Sequence, residues 1–431
     1  MRNILTACVL MAAIPLGAQN FRLSQSNPNG LYDNGETARM VLHHPGYPVD
    51  SSCTLRVLKN GFPGEAADLR LGGDSTILFN QAVVSDTSYI FEVQVGKEKC
   101  SLGMVMNPQT IRPGFRRPAD IDPYWEEQKE SLKKQKPVVK RNPVGHGQSG
   151  YECVDLEIDC PTTAPVRGYL ARPAAAEKGT LPIVINFHAA GVKGDWCKSK
   201  PETALVFAAK GDGAISLDMN AHGMLNGQPE SYYEQLDSGS LKDYFEKGAD
   251  NRDSIYFRGM YLRLLRAIEY LTQDPLWDGR RILVIGESQG GGQALAAAGL
   301  DQRVSAVVAI VPAMCDWGAE DAGRSAGWPQ PMSLKGDDSD KRSTLPYFDV
   351  AELLSRSDAT LCVEIGLIDP VCPPSAIFAA INEAKGEKII LTAPYRAHHQ
   401  EQPCYQKEWE ADVYSPRIRF IEEYLSGKNQ M

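Results

Sequence analysis

Short runs of alternating apolar and polar residues dominate the first quarter of the chain. The clearest of these runs cover residues 38–42, 54–58 and 89–95. Such alternation points every second side chain to one face, which is typical of strands that cover a core on one side only. Asn60-Gly61 follows the second run and is a strong signal for a tight turn. The pattern predicts a small β-sandwich of the immunoglobulin-like kind over residues 19–107.

The pattern changes after residue 107. Prolines at 108, 113 and 118 predict a stiff linker over residues 108–122, and residues 123–136 form a charged, helix-like stretch. Beyond it, continuous apolar runs alternate with segments of helical spacing; the runs are 183–187, 282–285, 304–311 and 361–365. Uninterrupted apolar runs are typical of a parallel sheet that helices cover on both faces. The sequence therefore predicts an α/β domain over residues 123–431.

Length and charge narrow the class of protein. The chain has 431 residues, and because single cores stop growing near about 250–300 residues, two domains are expected. Its formal net charge is -9, with 45 Lys and Arg against 54 Asp and Glu. Nucleic-acid affinity comes mostly from clustered basic residues, which the sequence lacks. We therefore expect no nucleic-acid partner.

The N-terminus predicts export. Met1-Arg2-Asn3 precedes an apolar stretch that ends at Ala18, which predicts a signal peptide over residues 1–18 and a periplasmic or secreted protein. A lipoprotein cleavage box ending at Cys8 is the alternative, but too few apolar residues precede Cys8 for an ordinary signal. No later segment reaches the ~20 apolar residues of a transmembrane helix.

The cysteines suggest no complete disulfide framework. Without Cys8, nine of the ten cysteines remain, so at least one is expected to be unpaired within the chain. Proximity in sequence makes Cys53 with Cys100, and Cys153 with Cys160, the candidate pairs. The chain contains neither a CxxC nor an HExxH pattern, and its adjacent histidine pairs do not share a helix face, so no metal site is expected.

The strongest chemical signal is a G-x-S-x-G pattern between a strand and a helix. Gly286-Glu287-Ser288-Gln289-Gly290 follows the apolar run 282–285, and a small, Ala-rich helical stretch begins at once after it. A serine at such a sharp turn stands above the sheet, and glycines two before and two after it let the backbone pass closely. The pattern predicts Ser288 as a nucleophile.

A serine nucleophile needs a base, and the base needs a carboxylate that holds its tautomer. In this fold the order along the chain is serine, acid, histidine. His398 and His399 are the two histidines that follow Ser288, so either can be the base. Asp369, just after the run 361–365, is the expected acid. Asp316 is the alternative acid, or otherwise a surface or capping residue.

Ester hydrolysis also needs donors for the oxyanion. The backbone N–H after the nucleophile is that of Gln289, and the loop after the run 183–187 offers the N–H of Ala190. His188 lies in the same loop and is a candidate residue of the substrate pocket. We expect it to support the loop rather than to take part in catalysis.

These residues resemble the acetyl xylan esterase and cephalosporin C deacetylase family of α/β-hydrolases. The resemblance covers the chain from about Pro118 onwards and rests on four segments: 286–292 (GESQGGG), 256–269 (YFR to RAIE), 344–349 (TLPYFD) and 366–375 (GLIDPVCPPS). It implies an α/β-hydrolase fold with Ser288 as nucleophile, Asp369 as acid and His398 as base. It also implies that no metal or organic cofactor is required.

The chain departs from the family at three places. His399 stands where the family has a glutamate after the base. Asn220-Ala221-His222 follows Asp218 where the family has an Arg-Gly-Gln signature. The loop Phe187-His188-Ala189-Ala190 lacks the tyrosine that the family usually carries there. A shift in substrate choice is therefore expected.

The sequence as a whole predicts a secreted serine esterase that removes acetyl groups from acetylated xylan or xylo-oligosaccharides. A serine peptidase or another acyl-ester hydrolase of this fold is one alternative, and an inactive carbohydrate-binding protein is another. Trp196 and Trp317 are the candidate pocket aromatics, because both follow predicted strands. The sandwich has no tryptophan, so we expect it to have a structural role or to shape a homo-oligomer. Cys372 is expected to be a packed free thiol.

Overall fold

The computed structural model describes residues 21–399, 402 and 405–428; the expected signal peptide lies outside these residues. Two sheets form the N-terminal sandwich. One sheet has the order β1-β3-β7, with β1 Arg22–Gln25, β3 Thr37–His43 and β7 Ser75–Ala82. The other has the order β2-β9-β8-β4-β5, with β6 also paired to β4; its strands are β2 Leu31–Tyr32, β4 Ser52–Lys59, β5 Phe62–Pro63, β6 Ala67–Arg70, β8 Thr87–Val95 and β9 Glu98–Met106.

The alternating runs behave as predicted. On β3, the side chains of Ala38, Met40 and Leu42 are fully buried. Thr37, which precedes them, and Arg39, which lies between Ala38 and Met40, are exposed. Asn60 and Gly61 join β4 to β5 with φ angles of 54° and 84°. Positive φ at both central positions is what a tight hairpin turn of this kind requires, so the predicted turn is confirmed.

The α/β domain is built on a nine-stranded sheet with the order β10-β11-β12-β14-β13-β15-β16-β17-β18. All neighbours from β14 to β18 are parallel, and the three pairs before them are antiparallel. The bounds are β10 Val139–Pro143, β11 Tyr151–Ile158, β12 Val166–Pro173, β13 Leu181–Phe187, β14 Ile215–Met219, β15 Trp277–Glu287, β16 Ala306–Ile310, β17 Thr360–Gly366 and β18 Lys388–Ala393. The predicted central strands are therefore present.

Helices cover both faces of this sheet. They are α1 Ile121–Lys133, α2 Pro201–Ala208, α3 Glu230–Ser238, α4 Tyr256–Leu271, α5 Gln289–Leu300, α6 Asp338–Thr344, α7 Val350–Leu353, α8 Pro374–Ile381, α9 Gln406–Trp409 and α10 Ser415–Leu425. Every residue of α5 is buried, because its glycines and alanines let it pack closely on β15 and β16. No helix in the described part of the chain is long and apolar enough to cross a membrane.

The sandwich and the α/β domain share an apolar core. Leu102 and Met104 on β9 belong to the same buried cluster as Leu283 on β15, Leu391 on β18 and Phe420 on α10. A second cluster fills the other side of the large sheet. The core that the sandwich contributes to therefore lies between the two domains rather than within the sandwich alone.

Both predicted disulfides are wrong. Cys53, Cys153 and Cys160 carry free, buried thiols. Cys53 lies on β4 and Cys100 on β9, with β8 between them, so their backbones are about 10 Å apart, beyond the reach of a disulfide. Cys153 and Cys160 lie along the same extended strand and just beyond its end, which separates them further. Cys372 is a buried free thiol, as predicted.

Candidate active site

Ser288 stands at the turn between β15 and α5. Its φ of 55° and ψ of −120° are strained for a residue with a side chain. A Cβ on Gly286 would collide with the backbone of Gly290, and a Cβ on Gly290 would collide with the carbonyl of Phe187. The two glycines of the motif are therefore required by close backbone contacts, as the pattern predicted.

The structure brings Ser288, His398 and Asp369 into one chain of hydrogen bonds. His398 Nε2 lies 2.9 Å from Ser288 Oγ, and His398 Nδ1 lies 2.7 Å from Asp369 Oδ2. Asp369 Oδ1 accepts hydrogen bonds from the backbone N–H groups of Val371 at 2.8 Å and Cys372 at 2.9 Å. All three side chains are buried, so the contacts form away from bulk water. The contacts have the order that a Ser-His-Asp triad requires.

The alternative base and the alternative acid both stand outside this chain of hydrogen bonds. His399 is exposed, and its ring meets that of His398 edge to face at 4.5 Å between centroids. Asp316 accepts a hydrogen bond from Gly114 N–H at 2.7 Å and pairs with Arg324 at 2.9 Å. Burial raises the pKa of the Asp316 carboxyl. It is neither at the site nor at the surface.

One expected oxyanion donor directly follows Ser288 in the chain, and the other lines the same cavity. Gln289 is the first residue of α5, where a backbone N–H has no acceptor within the helix. Ala190 and Ser288 belong to the wall of the same cavity. The indole N–H of Trp196 donates to the Ala190 carbonyl at 3.0 Å, which anchors the loop directly after the expected donor.

His188 supports the oxyanion loop rather than the chemistry. Its Nε2 lies 3.0 Å from Asp218 Oδ1, and its Nδ1 lies 3.2 Å from the Trp196 carbonyl. Burial lowers the pKa of His188, but the charge and hydrogen bond of Asp218 outweigh burial and raise it. Asp218 also accepts from the side chain of Asn186 and the backbone N–H of Lys200, both at 2.6 Å. His188 is not part of the cavity wall, so the prediction that it lines the pocket is wrong.

His222 is a supporting residue that sequence reasoning noted only as a departure from the family. Its Nε2 lies 2.9 Å from the Gly191 carbonyl, directly after Ala190, and its Nδ1 lies 2.7 Å from the Tyr256 hydroxyl. Burial and the nearby Arg263 lower the pKa of His222 to about 3, so the ring is neutral. His222 can therefore bind the loop that contains Ala190 and Gly191 through a neutral ring, which adds no charge to the site.

The cavity in front of Ser288 has a volume of about 520 Å³. Its wall consists of Ala189, Ala190, Trp196, Glu287, Ser288, Trp328, Val371, His398 and His399. Trp196 is 66% exposed, and the structure places it in this wall. Trp317 is fully buried against Phe257, so the prediction that it lines the pocket is wrong. Trp328, which the sequence pattern did not single out, lies there instead.

A second cavity of about 620 Å³ adjoins the first and shares Ala190 and Trp328 with it. Its aromatic wall includes Phe245, whose ring lies 5.5 Å from that of Trp328. Asp237 and Lys242 contribute polar groups to the same wall. The two cavities are therefore neighbours, and together they offer aromatic surfaces and hydrogen-bonding groups.

One grouping among the described residues could hold a metal ion. Ligand atoms of Asp369, Cys372 and His398 lie within 4.8 Å of one another. The carboxylate and the imidazole already bind each other, and burial raises the pKa of the Cys372 thiol well above its ordinary value. A protonated thiol is a poor metal ligand, so the geometry favours proton transfer over metal binding at this place.

A buried ion-pair network lies next to the base. Arg396, two residues before His398, pairs with Glu364, which also pairs with Arg417 on α10. The indole N–H of Trp409 donates to Glu364 at 2.9 Å. Glu364 has a fully buried side chain, so these partners compensate its charge. The network ties the C-terminal helices to the loop that carries His398.

A mostly parallel sheet with a serine at a strand–helix turn, and a histidine and an aspartate on later loops, defines the α/β-hydrolases. Comparison with known proteins identifies the particular group. The family model for acetyl xylan esterase (AXE1) matches residues 104–414. The chain therefore belongs to the acetyl xylan esterase family and is a carboxylic ester hydrolase.

Individual relatives agree with this membership. The chain is 31% identical over 307 residues to acetyl esterase Axe7A of Xylanibacter ruminicola, a match that covers 70% of this chain and 68% of the relative. A solved acetyl xylan esterase from Paenibacillus sp. R4 superimposes with a TM-score of 0.59 at 26% identity, over 74% of this chain and 98% of that one. Acetyl xylan esterase 1 from Thermoanaerobacterium sp. JW/SL YS485 has the same fold, with a TM-score of 0.59 at 24% identity, over 74% and 97%.

Proposed function

We propose that the protein is a secreted serine esterase that removes acetyl groups from acetylated xylan or xylo-oligosaccharides. The observation that carries this proposal is the position of His398. Its two ring nitrogens lie 2.9 Å from Ser288 Oγ and 2.7 Å from Asp369 Oδ2. One imidazole can therefore take the serine proton while the aspartate stabilises the imidazolium that forms.

In the acylation step, Ser288 Oγ attacks the ester carbonyl and its proton passes to His398 Nε2. The carbonyl oxygen becomes an oxyanion, which the backbone N–H groups of Gln289 and Ala190 stabilise. The tetrahedral intermediate collapses, the C–O bond to the sugar breaks, and His398 delivers its proton to the departing sugar oxygen. The products are a free sugar hydroxyl and an acetyl group on Ser288.

Deacylation repeats the chemistry with water. His398 takes a proton from water as the water oxygen attacks the acetyl carbonyl, and it returns the proton to Ser288 Oγ as the acyl bond breaks. Acetate leaves and the serine is regenerated. The two steps use only groups of this chain, the ester and one water molecule, so the proposed reaction needs no cofactor.

The lining of the cavity in front of Ser288 supports a carbohydrate ester as substrate. Trp196 and Trp328 offer aromatic surfaces on which a sugar face can lie, and the adjoining cavity has room for a neighbouring sugar unit. The names of the family and of the relatives, acetyl esterase and acetyl xylan esterase, support the same substrate class. We infer export to the periplasm or medium from the N-terminal signal pattern, and mass analysis of the mature N-terminus tests it.

The test is acetate release from acetylated xylo-oligosaccharides and from an aryl acetate. The wild type should hydrolyse both, and Ser288→Ala should lose about 10³-fold or more of each activity while remaining folded. Ser343→Ala, at an exposed position, is the matched control and should leave both unchanged. Cleavage of peptides but not of esters would favour the peptidase alternative. Full activity in Ser288→Ala would overturn the proposal.

A further inference from the structure

The N-terminal sandwich touches both loops that carry the partners of Ser288. On one side, the backbone N–H of Gly103, on β9, donates to the carbonyl of Pro394 at 2.8 Å. Pro394 lies four residues before His398. On the other side, Gly103 packs so tightly against the carbonyl of Leu367 that a Cβ would overlap it. Leu367 lies two residues before Asp369, so one glycine of the sandwich contacts both loops.

The sandwich also binds the chain beyond His398. The side-chain amide of Gln402 donates to the Ser101 carbonyl at 2.6 Å and accepts from the Ser101 N–H at 3.3 Å. The same amide donates to the Tyr395 carbonyl at 3.3 Å. Before His398 in the chain, the Thr392 hydroxyl donates to the carbonyl of Asn29 in the sandwich at 2.7 Å. Contacts to the sandwich therefore flank His398 on both sides.

The two loops are in turn bonded to each other. Leu367 N–H donates to the Ala393 carbonyl at 3.0 Å, and Ile368 N–H donates to the Arg396 carbonyl at 3.3 Å. A displacement of either loop therefore moves the other. The apolar cluster shared by the domains, which includes Leu102, Met104 and Tyr395, lies against these bonds. Rigid support of this kind fixes catalytic groups to within a fraction of an ångström.

We propose that the sandwich is a positioning domain, in which Gly103 and Ser101 of β9 hold the Asp369 and His398 loops in register with Ser288. This inference rests on the proposed function. It assigns the appended domain a role in turnover rather than in binding glycan. The family model matches residues 104–414, so most of the sandwich precedes the unit that defines the family.

Point variants of the full chain test this role, because the shared core rules out simple removal of the sandwich. Gly103→Ala pushes on Leu367, and Gln402→Met removes the amide bonds at similar side-chain volume. Gly72→Ala and Gln81→Met, both exposed in the sandwich, are the matched controls; a Cβ at Gly72 meets no atom within 4 Å.

We expect kcat on an aryl acetate to fall about 10- to 100-fold in both test variants, with KM nearly unchanged, since small misplacements of catalytic groups have effects of this size. The rate at which a fluorophosphonate labels Ser288 should fall in parallel. The controls should match the wild type. Test variants that are folded and keep kcat and labelling rate within about twofold of the wild type would overturn the positioning role.

The failure of this inference and that of the proposed function give different results. An active wild type with unaffected Gly103→Ala and Gln402→Met variants refutes the positioning role alone. A wild type that releases no acetate from any ester refutes the proposed function, and the positioning role with it. A lower melting temperature at unchanged kcat would show that the contacts serve stability only, which also overturns the inference.

Discussion

Glu287 and Arg396 form an ion pair at the edge of the reactive site, with Arg396 Nη2 3.1 Å from Glu287 Oε1. Glu287 directly precedes Ser288 and half of its side chain is exposed, whereas Arg396 is almost fully buried. Glu287 also belongs to the cavity wall, where it is the one acidic or basic side chain among the described lining residues other than the histidines. The pair thus fixes a carboxylate beside the incoming ester.

This carboxylate should disfavour anionic substrates. We predict that Glu287→Gln raises kcat/KM for an acetylated glucuronoside relative to an acetylated xyloside, because it removes this repulsion. Solvent partly screens the repulsion, so the expected increase is about 2- to 10-fold. The ratio measured for the wild type should approach that of the variant at high salt. Glu320→Gln, at an exposed position elsewhere, is the control. An unchanged ratio in Glu287→Gln would show that the carboxylate does not select substrates.

The two adjacent histidines should differ sharply in their effects. His398→Ala should lower kcat on an aryl acetate by about 10³-fold or more, because it removes the proton acceptor of Ser288. His399→Ala leaves the contacts to Ser288 and Asp369 intact and should keep activity within about 10-fold of the wild type. Steady-state kinetics on both variants decide the matter. Full activity in His398→Ala would make His398 a structural residue.

The recess next to the reactive serine should make the enzyme sensitive to substrate length. We expect Phe245→Ala to lower kcat/KM for acetylated xylotriose by up to about 10-fold, since an aromatic contact contributes roughly 0.5–1.5 kcal/mol. Acetylated xylose, which does not reach the second cavity, should be hydrolysed as before. Phe62→Ala, an exposed phenylalanine in the sandwich, is the control. Equal losses on both sugars would argue against a second sugar position.

A buried carboxyl should make stability depend on pH. Burial and the nearby Asp349 raise the pKa of Glu352 to about 8 from its ordinary 4.5. Between these values the folded protein keeps a proton that the unfolded chain has released. The unfolding free energy therefore falls as pH rises through this window, by up to about 1.4 kcal/mol per pH unit from this group.

Glu352→Gln should remove that dependence, because glutamine has no proton to lose. Denaturant unfolding at pH 5 and pH 8 measures the effect, with Glu320→Gln as the exposed control. The wild type and the control should lose stability between the two pH values, and Glu352→Gln should lose less. An identical loss in all three proteins would mean that Glu352 is ionised throughout.

Most of the fold and part of the site could be predicted from local patterns in the sequence. The turn at Ser288 was predictable because its requirements, small neighbours and a strand before a helix, are local. Chain order in this fold then indicated Asp369 and one of two histidines. The choice between His398 and His399 depended on which ring faces the serine, which only the packed loop determines.

Features that depend on distant contacts were not predictable. Trp317 and Trp328 both follow the strand β16, yet one is buried against Phe257 and the other lines the cavity. His222 contacts Gly191 although the two residues are 31 positions apart in the sequence. The disulfide predictions failed for the same reason, since the strand order that separates Cys53 from Cys100 is a property of the folded sheet.

The apolar cluster that spans the sandwich and the large sheet also governs how the molecule comes apart. Because Met104 and Leu283 belong to one buried cluster, neither domain can melt without exposing apolar surface of the other. Thermal denaturation should then follow a single cooperative transition instead of two. A protease that cuts the connection near Pro113 would leave two fragments that still adhere, each stabilised by the surface of its neighbour.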